Sequence, residues 1–207
     1  MIEVYIVRHG ETDTNKEQRI NGASTNLPLN AVGIKQVQEL QQSFAIQKIN
    51  RVYSSPMKRA LQTAEILSNG YHQIEVDERL QEIDYGDWDG VAAQKVYQQY
   101  PQVFDEQGYL RDNYSDYCRG ESYAHLGERV QSFWQDLIAN NAHKAVLVVC
   151  HGTVSRSLIQ TVFGIDEISQ VMQIRNAGVI GLRVQEQTGK AFLLYYNRVA
   201  PAEFFHS

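Results

Sequence analysis

The sequence has few cysteines, no excess of positive charge and no long apolar run, and each shortage excludes a class of protein. The two cysteines, Cys118 and Cys150, are too few for a disulfide framework, so we expect a reducing, cytoplasmic setting. The formal net charge of −5 disfavours binding to nucleic acid or to a membrane surface, because such proteins normally carry a basic patch. No apolar stretch approaches a membrane span, and the early acidic residue Glu3 leads us to expect no signal peptide.

Strands and helices alternate along the 207 residues, which are enough for one α/β domain with a sizeable core. This alternation predicts a three-layer sandwich, in which helices flank a mixed, mostly parallel sheet that ends in an antiparallel hairpin. We expect strands at 2–7, 51–54, 74–76, 145–150, 178–184 and 191–196, and helices at about 30–45, 57–68, 121–141 and 153–163.

Residues 89–120 interrupt the alternation with a segment that is rich in tyrosine and poor in aliphatic residues. Because tyrosine has an apolar body and a polar tip, such a segment suits a cap over a site. A helical excursion packed on the sheet edge is the alternative, and the two interpretations are compatible. We therefore expect a single domain over residues 1–207 with a cap-like insertion at about 89–120.

Two of the β-rich runs end in the dipeptide His-Gly. Residues 4–7 lead into Arg8, His9 and Gly10, and residues 145–150 lead into His151 and Gly152. Ligands of open α/β sheets bind beyond the carboxyl ends of the strands, so the two imidazoles could face one ligand. A lone histidine after a strand is more often a structural residue, but the repeated pattern favours catalysis. Arg8 suggests an anionic ligand, most simply a phosphate.

The chain resembles the histidine phosphatase superfamily, in its phosphoglycerate-mutase-like branch. The resemblance runs nearly the whole length and rests on five blocks in the same order: residues 7–12 with Asn15; 18–22 with 27–30 and Gly33; 53–64; 79–82 with 86–90; and 120–122 with 150–153 and Arg156. One block alone would be a weak signal, whereas five in order are hard to obtain by chance.

The resemblance implies that His9 is a nucleophile that accepts a phosphoryl group. Its second ring nitrogen then needs an acceptor, such as a backbone carbonyl, to fix the tautomer. Arg8 and Arg59 are expected to bind the phosphoryl oxygens, with a further hydrogen bond from His151, which is most useful if protonated. Other candidates for contact with the phosphate or the leaving group are Asn15, Asn21, Gly22, Gly152 and the backbone N–H of Thr153.

Glu82 matches the family's acid/base glutamate, which would protonate the leaving alcohol and later activate water. The residues alone leave Asp77, Glu78 and Asp84 as competitors. No metal or other cofactor is expected, since His9 and His151 lack the further ligands and spacing of a zinc site. Four further histidines are expected at the surface: His72, His125, His143 and His206.

The resemblance covers both phosphoglycerate mutases and phosphatases. Mutases carry extra basic residues after the acid/base glutamate, including an adjacent arginine pair. Residues 83–120 contain three cationic residues, Lys95, Arg111 and Arg119, and no two of them are adjacent in the sequence. We therefore expect a metal-independent phosphatase acting on a small phosphorylated metabolite. A phosphoglycerate mutase and a non-catalytic interaction protein of the same fold are the alternatives, and the oligomeric state stays open.

Overall fold

The computed structural model describes residues 1–205, so the expectation for His206 lies outside the described residues. One six-stranded sheet has the order β3-β2-β4-β1-β5-β6. The strands are β1 (Ile2–Arg8), β2 (Arg51–Ser54), β3 (Ile74–Val76), β4 (Ala145–Cys150), β5 (Val179–Val184) and β6 (Ala191–Arg198). The first four strands in the sheet order pair in parallel, whereas β5 and β6 are antiparallel, which confirms the predicted mixed sheet.

Helices cover both faces of this sheet. They are α1 (Asp13–Lys16), α2 (Ala31–Ser43), α3 (Lys58–Ser68), α4 (Ala93–Gln99), α5 (Ser115–Cys118), α6 (Tyr123–Asn140) and α7 (Gly152–Phe163). None of the helices within residues 1–205 is long and apolar enough to cross a membrane.

Two hydrophobic clusters, one on each face, explain why the central strands read as unbroken apolar runs. In β1, Val4 and Ile6 pack into the cluster that contains α6, while Tyr5 and Val7 pack into the cluster that contains α2 and α3. The side chains of β4 alternate between the same two clusters. Because successive side chains of a strand point to opposite faces, both faces must be apolar when both are covered.

Local hydrogen bonds shift two of the predicted boundaries. The helix expected to begin after Pro56 begins at Lys58, because the Ser55 hydroxyl accepts a hydrogen bond from the Met57 N–H and holds a turn there. Between the strand expected at 2–7 and the helix expected at about 30–45, where no element was predicted, the structure contains α1. Thr12 and Asn15 cap that helix through reciprocal side-chain to backbone hydrogen bonds.

The loop that follows β1 lies against the first turn of α2 at two glycines. Asn30 caps this helix by accepting a hydrogen bond from the Gly33 N–H at 2.8 Å. A Cβ atom on Gly33 would overlap the Glu11 carbonyl oxygen and lie 2.6 Å from Glu11 N. A Cβ atom on Gly10 would lie 2.6 Å from the Gly33 carbonyl oxygen. Glycine at both positions therefore allows the two backbone segments to approach closely, and this contact sets the path of the chain just after His9.

We expect Gly33→Ala to lower the free energy of unfolding by roughly 1–3 kcal/mol, since the added methyl group must push backbone away from backbone. Gly127→Ala is the matched control. Gly127 lies in α6 with no atom within 4 Å of an added Cβ, so alanine there should stabilise the protein by about 0.5–1 kcal/mol. Urea unfolding monitored by circular dichroism measures both. Equal effects of the two substitutions would contradict the close approach at Gly33.

Candidate active site

The carboxyl ends of three neighbouring parallel strands supply the centre of the site. Arg8 of β1 is in register with Cys150 of β4, so the residues that follow them, His9 and His151, leave the sheet side by side. Their ring centroids are 5.1 Å apart. Ser55, which follows β2, reaches the same place and lies 2.7 Å from Nε2 of His151.

His9 is held as a neutral imidazole with one free nitrogen. Its Nδ1 lies 2.7 Å from the Gly10 carbonyl oxygen, which can only accept, so Nδ1 carries the proton and Nε2 carries the lone pair. Burial, followed by the nearby positive charges of Arg59 and Arg8, holds the pKa of His9 well below its ordinary value. A neutral histidine with an unprotonated Nε2 is a competent nucleophile at neutral pH.

His151 is also neutral, although a protonated imidazole would be the better donor to a phosphate. The Arg59 Nε–H donates to Nδ1 of His151 at 3.2 Å, so Nδ1 must be unprotonated. The proton therefore lies on Nε2, which donates to the Ser55 hydroxyl. Burial and the charge of Arg59 hold the pKa of His151 well below its ordinary value, because a second positive charge is unfavourable there.

Arg8 has one buried nitrogen, Nε, without a hydrogen-bond partner. Its Nη1 donates to the Ile174 carbonyl at 2.8 Å. The Gln173 amide, with its oxygen turned towards Arg8, accepts from Nη1 and Nη2 at 3.1 Å each. An unpartnered guanidinium N–H at the wall of a cavity is suited to bind an anionic oxygen.

Arg59 is fully buried behind the two histidines. Besides its bond to His151, it donates to the carbonyl oxygens of Gly22 and Thr25. Burial lowers the pKa of Arg59 to about 10, and the nearby carboxylates of Glu82 and Asp89 oppose this shift. Arg59 therefore remains a cation at neutral pH and supplies fixed positive charge beneath the cavity.

The three asparagines near His9 differ in what they can offer a ligand. Asn15 Oδ1 accepts from the Thr12 N–H at 3.1 Å and from Asn176 Nδ2 at 3.4 Å, which leaves its own Nδ2 available to the cavity. Asn176 Nδ2 also donates to the His9 carbonyl at 3.0 Å. Asn21 donates to the Thr12 hydroxyl at 3.3 Å, and its Oδ1 is buried without a partner.

Glu82 is buried, with 6% of its surface exposed, and two backbone N–H groups hold its carboxyl. Oε1 accepts from Ile83 N at 3.0 Å, and Oε2 accepts from Thr153 N at 3.4 Å. The Thr153 amide, which was expected to contact the anion, thus orients Glu82. Burial raises the pKa of Glu82, and the positive charge of Arg59 opposes the rise. A carboxyl with a raised pKa suits the transfer of a proton.

The residues that competed with Glu82 lie outside the cavity lining. Asp77 pairs with Arg79 at 2.7 Å, and Glu78 is exposed. Asp84 accepts a hydrogen bond from the Gly86 N–H at 2.8 Å. Glu82 is therefore the one of these four carboxyl groups that faces the cavity.

A cavity of about 190 Å³ lies among these groups. Of the residues singled out in the sequence, the wall contains Arg8, His9, Asn15, Asn21, Glu82, Thr153 and Arg156, whereas Gly22, Arg59, His151 and Gly152 lie behind it. Residues 89–120 contribute Ala93, Phe104, Gly108, Tyr109 and Leu110 to the wall. The described histidines expected at the surface lie elsewhere: His125 and His143 are exposed and His72 is half-buried. Within residues 1–205, no three His, Cys, Asp or Glu side chains form a metal-binding group.

Sequence reasoning missed Ser55, Gln173 and Asn176. Ser55 could have been found, because it directly follows a strand that ends at the same sheet edge as β1 and β4. Gln173 and Asn176 lie in the connection between α7 and β5, which carried no sequence signal of a site.

Comparisons with known proteins agree with this arrangement. A family model described as the histidine phosphatase superfamily (branch 1) matches residues 4–197. A protein of Bacillus subtilis named uncharacterized phosphatase PhoE is 31% identical to this chain, with 90% of this chain and 91% of PhoE covered. GpmB of Proteus mirabilis, named a probable phosphoglycerate mutase, is also 31% identical, with 86% of this chain and 83% of GpmB covered.

The fold is similar to that of a solved structure, YhfR of Bacillus stearothermophilus. The TM-score is 0.85 and the sequence identity 28%, with 97% of this chain and 98% of YhfR covered. The family model and the 31% identity to PhoE over nine-tenths of both chains agree with the paired histidines at the sheet edge. The chain belongs to the histidine phosphatase superfamily, branch 1, and is an enzyme of the phosphatase type.

Proposed function

We propose that the protein hydrolyses phosphate monoesters of small metabolites through a phosphohistidine on His9, without a metal ion. The observation that carries this proposal is the unprotonated Nε2 of His9, fixed by the Gly10 carbonyl in a cavity that also contains Arg8 and Glu82. A reducing cytoplasm is the compartment we propose, in keeping with the free, buried thiols of Cys118 and Cys150.

In the first step, His9 Nε2 attacks phosphorus and the bond from phosphorus to the ester oxygen breaks. Glu82 gives its proton to the departing alkoxide, so an alcohol leaves and Glu82 becomes a carboxylate. Arg8 Nε and Asn15 Nδ2 donate hydrogen bonds to the phosphoryl oxygens as their charge changes. Arg59 lies beneath the cavity, where its hydrogen bond to His151 fixes its position. It adds a fixed positive charge near the phosphoryl group.

In the second step, Glu82 takes a proton from water as that water attacks the phosphohistidine. The phosphorus–nitrogen bond breaks, inorganic phosphate is released, and the lone pair returns to His9 Nε2. Glu82 is then protonated again, as its raised pKa favours. One carboxyl thus serves as acid and then as base.

The alternatives are less well supported. Mutases carry additional cations in the segment after the acid/base glutamate, but of the cations in residues 83–120, Lys95, Arg111 and Arg119, none lines the cavity. Arg119 instead pairs with Asp87 at 2.7 Å on the surface. A non-catalytic interaction protein would have no need of a buried Glu82 aimed at the same cavity as His9. We further propose that residues 89–120 cap the site, since Phe104, Tyr109 and Leu110 form part of its wall.

The proposal predicts that turnover of an aryl phosphate is unchanged by a chelator, because Arg8 and Arg59 already supply the positive charge at the phosphate. Phosphate release from p-nitrophenyl phosphate, with and without EDTA, measures this. Activity that is lost in EDTA and restored by a divalent ion would contradict the metal-free mechanism.

We expect His9→Ala to abolish turnover and the covalent adduct, since alanine has no atom that can accept the phosphoryl group. Labelling with ³²P-phosphate ester should give a wild-type adduct that is labile to acid and stable to base, as a phosphoramidate is. The matched control is His125→Ala, at an exposed position on α6, which should retain both. An adduct that survives in His9→Ala would assign the nucleophile to another residue.

Glu82→Gln should slow hydrolysis of alkyl phosphates by about 10²–10⁴-fold, and that of activated aryl phosphates much less, because an aryl oxide departs without a proton. The raised pKa keeps Glu82 protonated to higher pH than an ordinary glutamate. Wild-type activity on alkyl esters should therefore fall as pH rises through that pKa, and this fall should be absent in Glu82→Gln. Glu78→Gln, an exposed neighbour, is the control. Equal, small losses on both ester types would exclude Glu82 as the acid.

A further inference from the structure

Tyr109 lies at the boundary between the catalytic cavity and a second, larger cavity. The second cavity has a volume of about 600 Å³. Arg8, Tyr109 and Gln173 belong to the walls of both cavities. The other residues that line the second cavity are mostly polar: Gln36, Ile174, Arg175, Asn176 and Val199. The three shared side chains therefore form a partition between the two volumes.

The side chains of this partition come from different elements. Arg8 and Gln173 are hydrogen-bonded to each other, and Arg8 also donates to the Ile174 carbonyl at 2.8 Å. Tyr109 belongs to the 89–120 segment, and its hydroxyl accepts a hydrogen bond from the Gln173 backbone N–H at 3.2 Å. Because Arg8 is needed for the phosphoryl group, Tyr109 is the part of the partition that can vary without loss of the chemistry.

A tight turn fixes the backbone of Tyr109. Phe104 and Leu110 form an antiparallel bridge at its base. The Asp105 N–H donates to the Tyr109 carbonyl at 2.8 Å, and the Asp105 carboxylate accepts from the Tyr109 N–H at 2.8 Å. Gly108 has a φ of 81°, in the left-handed region that favours glycine. The turn thus sets the direction in which the Tyr109 side chain leaves the backbone.

The Tyr109 ring is supported on one face by Arg156. The guanidinium carbon lies 4.3 Å from the centroid of the ring, which is a favourable cation–π distance. Arg156 is itself held in place, since it donates to the Val171 carbonyl at 2.7 Å and to the Ile168 carbonyl at 2.9 Å. The ring therefore has a fixed support on its face and a hydrogen bond at its tip.

This position restricts the space for the alcohol part of the ester. Thr153, in the first turn of α7, binds Glu82 through its backbone N–H. Arg156 is three residues further on, and residues three apart in a helix lie on the same face. Since Glu82 marks where the departing oxygen must lie, the Tyr109 ring that stacks on Arg156 stands on the side of the leaving alcohol.

The volumes on the two sides of the partition differ in what they can hold. Sites for drug-sized ligands have volumes of about 300–1,000 Å³. The catalytic cavity, with about 190 Å³, lies below this range, whereas the two cavities together would lie within it. An alcohol of a few carbon atoms fits the catalytic cavity, but a nucleoside needs the joined volume. The amide and guanidinium groups of the second cavity suit an alcohol with several polar groups.

We propose that Tyr109 sets the upper size limit of the alcohol, and that its side chain excludes larger esters by separating the two cavities. This inference rests on the proposed phosphatase function and assigns the residue that limits its substrates. Tyr109 is thus a specificity-determining residue, while Arg8, His9 and Glu82 carry out the phosphoryl transfer.

The test compares two esters that differ in size. Glycerol 3-phosphate and adenosine 5′-monophosphate are both monoesters of primary alcohols, so the departing oxygen is chemically similar in the two. We expect kcat/KM of the wild-type enzyme to favour glycerol 3-phosphate by at least about tenfold, the lower end of what a shaped pocket achieves. In Tyr109→Ala this ratio should fall to within about threefold of one, because the larger alcohol can then extend into the second cavity.

Tyr109→Phe is the matched variant at the same position. It keeps the ring and its stacking on Arg156 and removes the hydroxyl alone, so the ratio should stay within about threefold of the wild-type value. Tyr109→Leu shortens the side chain but keeps an apolar group, and its ratio should lie between those of the wild type and Tyr109→Ala. The leucine variant provides the test if Tyr109→Ala does not fold.

Tyr117→Ala controls for a general loosening of the 89–120 segment. Tyr117 is an exposed tyrosine of the same segment, its ring centroid lies 5.7 Å from that of Tyr100, and it lines neither cavity. This substitution should leave the substrate ratio unchanged. A change in stability alone would alter the activity on both esters together, so the ratio remains informative for each variant.

The possible failures are distinguishable. If wild type hydrolyses p-nitrophenyl phosphate but does not prefer glycerol 3-phosphate to the nucleotide, the size limit is refuted and the phosphatase function stands. The same conclusion follows if Tyr109→Ala and Tyr109→Leu keep the wild-type ratio, or if Tyr117→Ala changes it as much as they do. If wild type releases no phosphate from any ester, the proposed function fails and the role of Tyr109 fails with it.

Discussion

The parallel pairing of β1 with β4, in the register that sets Arg8 opposite Cys150, is the constraint on which the site depends. It brings His9 and His151 out of the sheet together, although they are far apart in sequence. Parallel strands need a crossover to connect them, and the chain between them contains the rest of the site except α7 and the 171–177 connection. A shift of one residue in this register would turn one histidine towards the opposite face.

The same arrangement forces the two imidazoles to be neutral. Each is buried next to arginines, and burial and positive charge both oppose protonation. One hydrogen-bond partner then sets the tautomer of each ring. The Gly10 carbonyl accepts from Nδ1 of His9, and Arg59 donates to Nδ1 of His151. Glu82 experiences the opposite effect, because burial favours its neutral, protonated form. In the proposed mechanism, burial thus favours the neutral form of both the nucleophile and the acid.

The central strands and their common edge were predictable, because apolar runs and the two His-Gly dipeptides are local signals in the sequence. The candidate nucleophile and its arginines followed from the family's motifs. The details of the cavity were not predictable. The tautomer of His151 depends on a bond to Arg59, which is 92 positions away. The Thr153 amide bonds to Glu82 because a loop folds back over α7. Arg156 donates to the carbonyls of Val171 and Ile168 because the segment after α7 folds back against that helix. Such properties depend on contacts between distant segments, and no sequence window contains them.

The repulsion between the buried guanidinium groups links the folding of the protein to its chemistry. Burial lowers the pKa of both Arg8 and Arg59, and the charge of Arg8 lowers that of Arg59 further, so the native state keeps these cations at a cost in free energy. An oxyanion bound in the cavity offsets that cost in the native state. It does not stabilise the unfolded chain to the same extent, because the arginines there are already hydrated. By mass action, a ligand at one hundred times its dissociation constant stabilises the native state by about 2.7 kcal/mol. Inorganic phosphate, as the product of the reaction, would therefore both inhibit the enzyme and protect it from unfolding.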